Sequence, residues 1–143
     1  MKKLIMLSLV IILAISIAAN PVLADSKGAV KQPIRIGWSG PEVGWVVINS
    51  SANEMLEVVV HLQKAIQETD LAAGLWRTDV PGWGYLGEGR MTTNVQGNTS
   101  VNFKCQIPED LVNSSSVNVC LCIYTLNPTT LIYWSPLFDV PIK

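Results

Sequence analysis

A hydrolytic or transfer centre needs an activated nucleophile, a placed base or a metal, and most solutions draw on histidine. This chain has one, His61. It falls in a run where Leu56, Val58, Val60 and Leu62 make one face of a strand and Glu57, Val59, His61 and Gln63 the other. A solvent-facing strand residue is therefore expected rather than a catalytic base. Paired carboxylates can act without histidine, at a separation that sets the mechanism. Glu54 with Glu57 and Glu109 with Asp110 are the nearest pairs, and each adjoins a turn, as ordinary solvated charge does. The glycines from Gly82 to Gly89 lack the flanking strand and helix that a phosphate-cradling loop requires. No catalytic residue is assigned, and enzyme activity is not expected.

Cysteine chemistry is the next candidate. Cys105, Cys120 and Cys122 are odd in number, so at least one thiol is unpaired within a monomer. Alternation along Val101, Phe103, Cys105 and Ile107 turns Cys105 inward, whereas Val117, Val119, Leu121 and Ile123 turn Cys120 and Cys122 outward. That phase opposes an easy bridge from Cys105 to either, and two cysteines on one face of one strand are poorly placed to bond each other. Inert packing thiols are expected. A Cys-x-Cys pair could supply two thiolates to a metal, but only Cys105 and His61 remain as strong further ligands, so neither a metal nor a cofactor is assigned.

The aromatic residues carry the best functional expectation. Trp38, Trp45, Trp76, Trp83 and Trp134, with Tyr85, Tyr124 and Tyr133, are many large rings for a short chain. Exposed tryptophan faces stack on the apolar faces of sugar rings while the indole N–H stays free to donate. Trp83 and Tyr85, flanked by glycines in a loop, are the expected ligand-binding residues, with Trp76 behind them. Trp38 and Trp134 lie on expected strands and are assigned to the core.

The elements that must position these rings are short. Ile34, Ile36 and Trp38 alternate as a first strand, Val43 to Ile48 is a second apolar run, and Leu56 to Leu62 is the clearest strand. Gln63 to Thr69 could extend helically. A short strand is expected around Leu75 to Thr78, an irregular loop to Gly89, and an edge strand at Arg90 to Val95. Gln96-Gly97-Asn98 then turns into Val101 to Ile107, which Pro108 stops. Val117 to Thr125, Leu131 to Trp134 and Leu137 to Ile142 complete the set. About seven strands without long helices predict an all-β fold, an antiparallel β-sandwich, with a small barrel as the alternative.

Gly97 to Pro108, Val117 to Ile123 and Ser135 to Val140 resemble prokaryotic extracytoplasmic immunoglobulin-like domains, in which a glycine turn opens a strand ending in Ile/Val-Pro. The resemblance covers about Gln96 to Ile142 and implies an immunoglobulin-like β-sandwich. It departs from antibody-like domains, since no cysteine on an early strand could pair with Cys120 or Cys122 and no corner tyrosine precedes them.

The amino terminus sets the compartment. Lys2 and Lys3 precede an apolar run from Leu4 to Ala19, Asn20-Pro21 breaks it, and Val22-Leu23-Ala24 offers a cleavage site. This reads as a signal peptide helix over 1–24, followed by a flexible lead-in over 25–32 and one β domain over 33–143. A secreted or extracytoplasmic protein is expected, touching membrane only through a leader that stays uncleaved. Without Lys2 and Lys3 the ten basic residues fall to eight against eleven acidic ones, which excludes the basic footprint of a nucleic-acid binder. Asn49, Asn98 and Asn113 fit the N-glycosylation pattern in expected turns. The function expected is an exported, non-catalytic module with a structural or protein-interaction role at the cell envelope. The alternative is a carbohydrate-binding module, its partner a cell-surface polysaccharide.

Overall fold

A computed structural model describes residues 28–51 and 53–143. The leader expected over 1–24 lies outside them. Nine strands follow in order: β1 (Val30–Arg35), β2 (Glu42–Ser51), β3 (Met55–Leu62), β4 (Asp70–Arg77), β5 (Gly84–Thr92), β6 (Thr99–Gln106), β7 (Ser116–Leu126), β8 (Thr129–Trp134) and β9 (Phe138–Pro141). One 3-10 turn, Glu109–Leu111, fills the corner between β6 and β7 and plugs it with Leu111. All the pairings are antiparallel, as expected, and the strand count of about seven is corrected to nine.

The alternation in β3 sets Leu56, Val58, Val60 and Leu62 into the core, and Val117, Val119, Leu121 and Ile123 of β7 meet them from the far wall. The strands share one hydrogen-bonded path, β5-β4-β7-β8-β1-β2-β3-β6, with β9 pairing the first half of β7. This path curls nearly into a barrel, because β5 and β6 at its two ends pack against each other. Glycine permits that approach. A Cβ on Gly87 would lie 2.7 Å from Cys105 Sγ, and one on Gly89 would lie 2.6 Å from the Phe103 ring.

Several local expectations are revised. The first strand begins at Val30, within the segment read as a lead-in, because Val30, Lys31 and Gln32 pair with Ile48, Val47 and Val46. It ends at Arg35, leaving Ile36 and Trp38 exposed. Gln63 to Thr69 forms no helix; Lys64 and Glu68 adopt positive φ there, and the Ile66 N–H donates to Tyr133 Oη at 2.8 Å. The Gly84 to Gly89 part of the expected loop is instead most of β5, and β4 starts five residues before Leu75. Asn49 lies within β2 rather than in a turn, while Asn98 and Asn113 are exposed in turns.

Candidate functional site

The outer face of the β5-β4-β7-β8-β1 wall gathers the rings. Register places Trp76 opposite Tyr85 on one side and Cys120 on the other, and Cys122 opposite both Gly74 and Trp134. Arg35 of β1 then faces Trp134. Opposed residues in adjacent strands project from the same face, so one belt runs across five strands from Tyr85 to Arg35. At about 4.8 Å per strand it is roughly 20 Å long.

Of the three residues expected to bind ligand, the structure brings two together. Trp76 and Tyr85 meet edge to face, with centroids 5.2 Å apart at 66°. The indole of Trp76 lies over Gly74, where a Cβ would sit 3.1 Å from Nε1. Trp76 is half-buried and Tyr85 is 53% exposed. Trp83 takes no part in that ring pair. It occupies the turn before β5 with φ 58°, its N–H donates to the Val80 carbonyl at 3.1 Å, and it is 41% exposed.

The assignment of Trp38 and Trp134 to the core is corrected. Because β1 stops at Arg35, the chain turns outward and Trp38 is 67% exposed. Trp134 falls on the outer phase of β8, whose inward ring is the buried Tyr133. The two indoles meet edge to face at 5.9 Å and 69°. Beside them opens a cleft of about 280 Å³ between β1 and the Trp134-Ser135-Pro136 segment. Its origin is legible in the backbone. β1 and β8 share a single residue pair, Arg35 with Trp134, and Pro33 and Pro136, which line the cleft from its two sides, have no N–H to continue a ladder. Arg35 Nε and Trp134 Nε1 are both buried without an acceptor among the described residues, while Arg35 Nη2 donates to Glu42 Oε1 at 2.8 Å. Sequence reasoning missed this cleft. The prolines were its one visible signal, since neither belongs inside a paired strand.

His61 is outward on β3, as its phase requires. Its ring lies 5.1 Å from that of Trp45 on β2, and Lys31 Nζ sits 4.7 Å over the same indole. Among the described residues no acidic side chain is bonded to His61, and the trio packs as a surface cluster.

The cysteines are free and buried. Cys105 faces inward beneath β5, and burial pushes its thiol up to about 11. Cys120 and Cys122 have the outward phase expected of them, yet the belt covers them, with their sulfurs 3.9 Å apart. The hydrogen bond with Cys122, then burial, pushes the Cys120 thiol upward. Cys105 and Cys120, so placed, are poor nucleophiles. Among the described residues no three metal-ligating side chains of His, Cys, Asp or Glu come together.

Among the described residues one charged side chain is buried, Arg77 on β4. Its guanidinium donates from Nε and Nη2 to Asp79, and from Nη1 and Nη2 to Asp110 in the 3-10 turn, over 2.6–2.9 Å. This fork holds both carboxyls below the usual carboxylate range and raises the guanidinium further. These bonds take four of its five N–H donors, so it fastens the β4–β5 connection to the corner before β7.

The fold and surface define a class: a small antiparallel all-β domain, nearly barrel-shaped, that displays indole and phenol rings on its outer wall. Comparison with family models, with curated proteins and with solved structures gives no match that narrows this class to a family.

Proposed function

We propose that this protein is an exported, non-catalytic β module that acts by surface recognition at the cell envelope. The observation that carries the proposal is the set of solvent-exposed rings, Trp38, Trp83 and Tyr85, held on a rigid antiparallel scaffold. Proteins ordinarily bury such surface, and aromatic side chains concentrate where partners dock. Export rests on the leader pattern. The immunoglobulin-like relationship belongs to the proposal too, supported by the fall of its matching segments on β6, β7 and β9.

A second reading, carbohydrate binding through Trp76, Trp83 and Tyr85, is favoured by the exposure of Trp83 and Tyr85 on one hairpin. Co-sedimentation with washed, insoluble cell-envelope material tests the module. Saturable depletion of the protein from solution is expected, and none would sink the proposal. Acrylamide quenching of the tryptophan emission, read with and without bound material, is expected to fall on binding. The carbohydrate reading further requires that soluble oligosaccharide compete and that Trp83→Ala weaken the competition.

A further inference from the structure

We infer that the cleft between β1 and β8 is a glycan-binding site, and that it takes a neutral pyranose ring within an oligosaccharide. This rests on the recognition-module reading but assigns the ligand to a different surface from the Trp83–Tyr85 hairpin. Three features converge. The first is a pair of buried donors, Arg35 Nε and Trp134 Nε1, left without an acceptor among the described residues, on side chains that line the cleft. Buried donors are ordinarily satisfied, so an acceptor from outside the chain, admitted by a small shift of these side chains, fits here. The second is an indole platform at the mouth, Trp38, mostly exposed and braced edge-on by Trp134, suited to the C–H face of a sugar. The third is the Glu42 carboxylate, bonded to Arg35 and lining the depression next to the cleft, which supplies acceptors for a neighbouring sugar ring.

The mixture selects the ligand class. Sugar hydroxyls both donate and accept, so a ring in the cleft can accept from Arg35 and Trp134 while the next ring donates to Glu42. An anion meets the charge of Glu42 and a guanidinium that Glu42 already neutralises at 2.8 Å. A proline-rich peptide offers carbonyls to the donors but few N–H groups for Glu42. The volume, about 280 Å³, is at the small end for ligand pockets, matching one ring rather than a drug-sized molecule. A second depression of about 310 Å³ shares Gln32 and Pro33 with the first and continues past Glu42 to Lys31 and Trp45. A chain of sugars can therefore leave the cleft across β1.

The test is calorimetric titration of the purified protein with neutral hexasaccharides of β-1,4-glucose, β-1,4-N-acetylglucosamine and α-1,4-glucose, and with a proline-rich decapeptide. At least one hexasaccharide is expected to bind saturably. Trp38→Ala is expected to weaken it about tenfold or more. Trp134→Phe, which keeps a ring but removes the N–H, should weaken it severalfold, and Val95→Ala, at an exposed side chain outside the cleft, should leave it unchanged. Circular dichroism melts confirm that each variant is folded, and Trp38→Ala, a change at an exposed side chain, is the decisive one. Loss of sugar binding in Trp83→Ala but not in Trp38→Ala overturns the site. Binding of the peptide alone, or of no hexasaccharide by a protein that still sediments with envelope material, overturns the ligand and leaves the module reading intact. Absence of sedimentation as well removes that reading too.

Discussion

Arg77 shows how a single side chain organises the corner of this molecule. Leu71, Ala73 and Leu75 precede it on the inward phase of β4, so alternation alone drives a guanidinium toward the core. It is 8% exposed and tolerable there because Asp79 and Asp110 meet it in two forks. Asp79→Asn removes one charged partner and leaves the guanidinium half-satisfied. Denaturant unfolding at neutral pH should show a loss of about 1.5–3 kcal/mol, the range for hydrogen bonds to charged groups. The pH dependence carries a definite sign. Both aspartates have folded-state values below their unfolded ones, so their contribution is fully present at neutral pH and disappears as pH falls below about 4. Wild-type stability should therefore drop more steeply than that of Asp79→Asn on acidification; equal slopes would refute the linkage. The inward phase of Arg77 was readable in the sequence. Its partner was not, because Asp110 lies 33 residues away and looks like ordinary turn charge beside Glu109.

At the scale of elements, glycine explains both a misreading and a structural device. Gly84, Gly87 and Gly89 depress strand propensity, which is why their segment reads as a loop. The strand forms nonetheless, since β4 templates it over eight residue pairs, and two of the glycines admit Cys105 and Phe103 of β6. Strand propensity and closure thus make opposite predictions for the same substitution. Gly89→Val raises propensity but drives methyl groups into Phe103 and Val101, and should destabilise by about 1–3 kcal/mol as overpacking does. Glu88→Val, one residue away on the outer face, should stay within about 0.5 kcal/mol of wild type. A matched pair of thermal melts separates the two, and a stabilised Gly89→Val would remove the packing account of closure. β3 and β7 were legible because their β-branched alternation is clean. The extent of β1 was not, since Pro33 is a breaker that only its place at the open seam excuses.

For the whole molecule, the information missing from local pattern is pairing. β5 and β6 are consecutive in the chain yet stand at opposite ends of the hydrogen-bonded path, while β1 meets β8, β3 meets β6 and β4 meets β7 across long stretches of sequence. Alternation tells which face of a strand is apolar, never which strand lies beside it. The aromatic belt was accordingly visible as a set of residues, but the cleft at Trp38 and Trp134 depends on where two distant strands part. The same closure makes the three thiols reporters of global integrity. Cys105 is sealed beneath the β5–β6 seam, and Cys120 and Cys122 beneath the belt, with Cys105 and Cys120 also held protonated by their surroundings. A charged thiol-reactive disulfide reagent at about pH 8, near the ordinary cysteine value, should leave all three unmodified in the native protein. In denaturant all three should react at once. If native reaction is followed over hours, the three should appear together at the rate of global opening, as expected for one cooperative unit. Early reaction of Cys105 alone would show that the β5–β6 contact opens independently of the rest of the sheet. In that event closure would not be part of the cooperative core, and the surface that displays Tyr85 and Trp76 would belong to a mobile edge rather than a rigid wall.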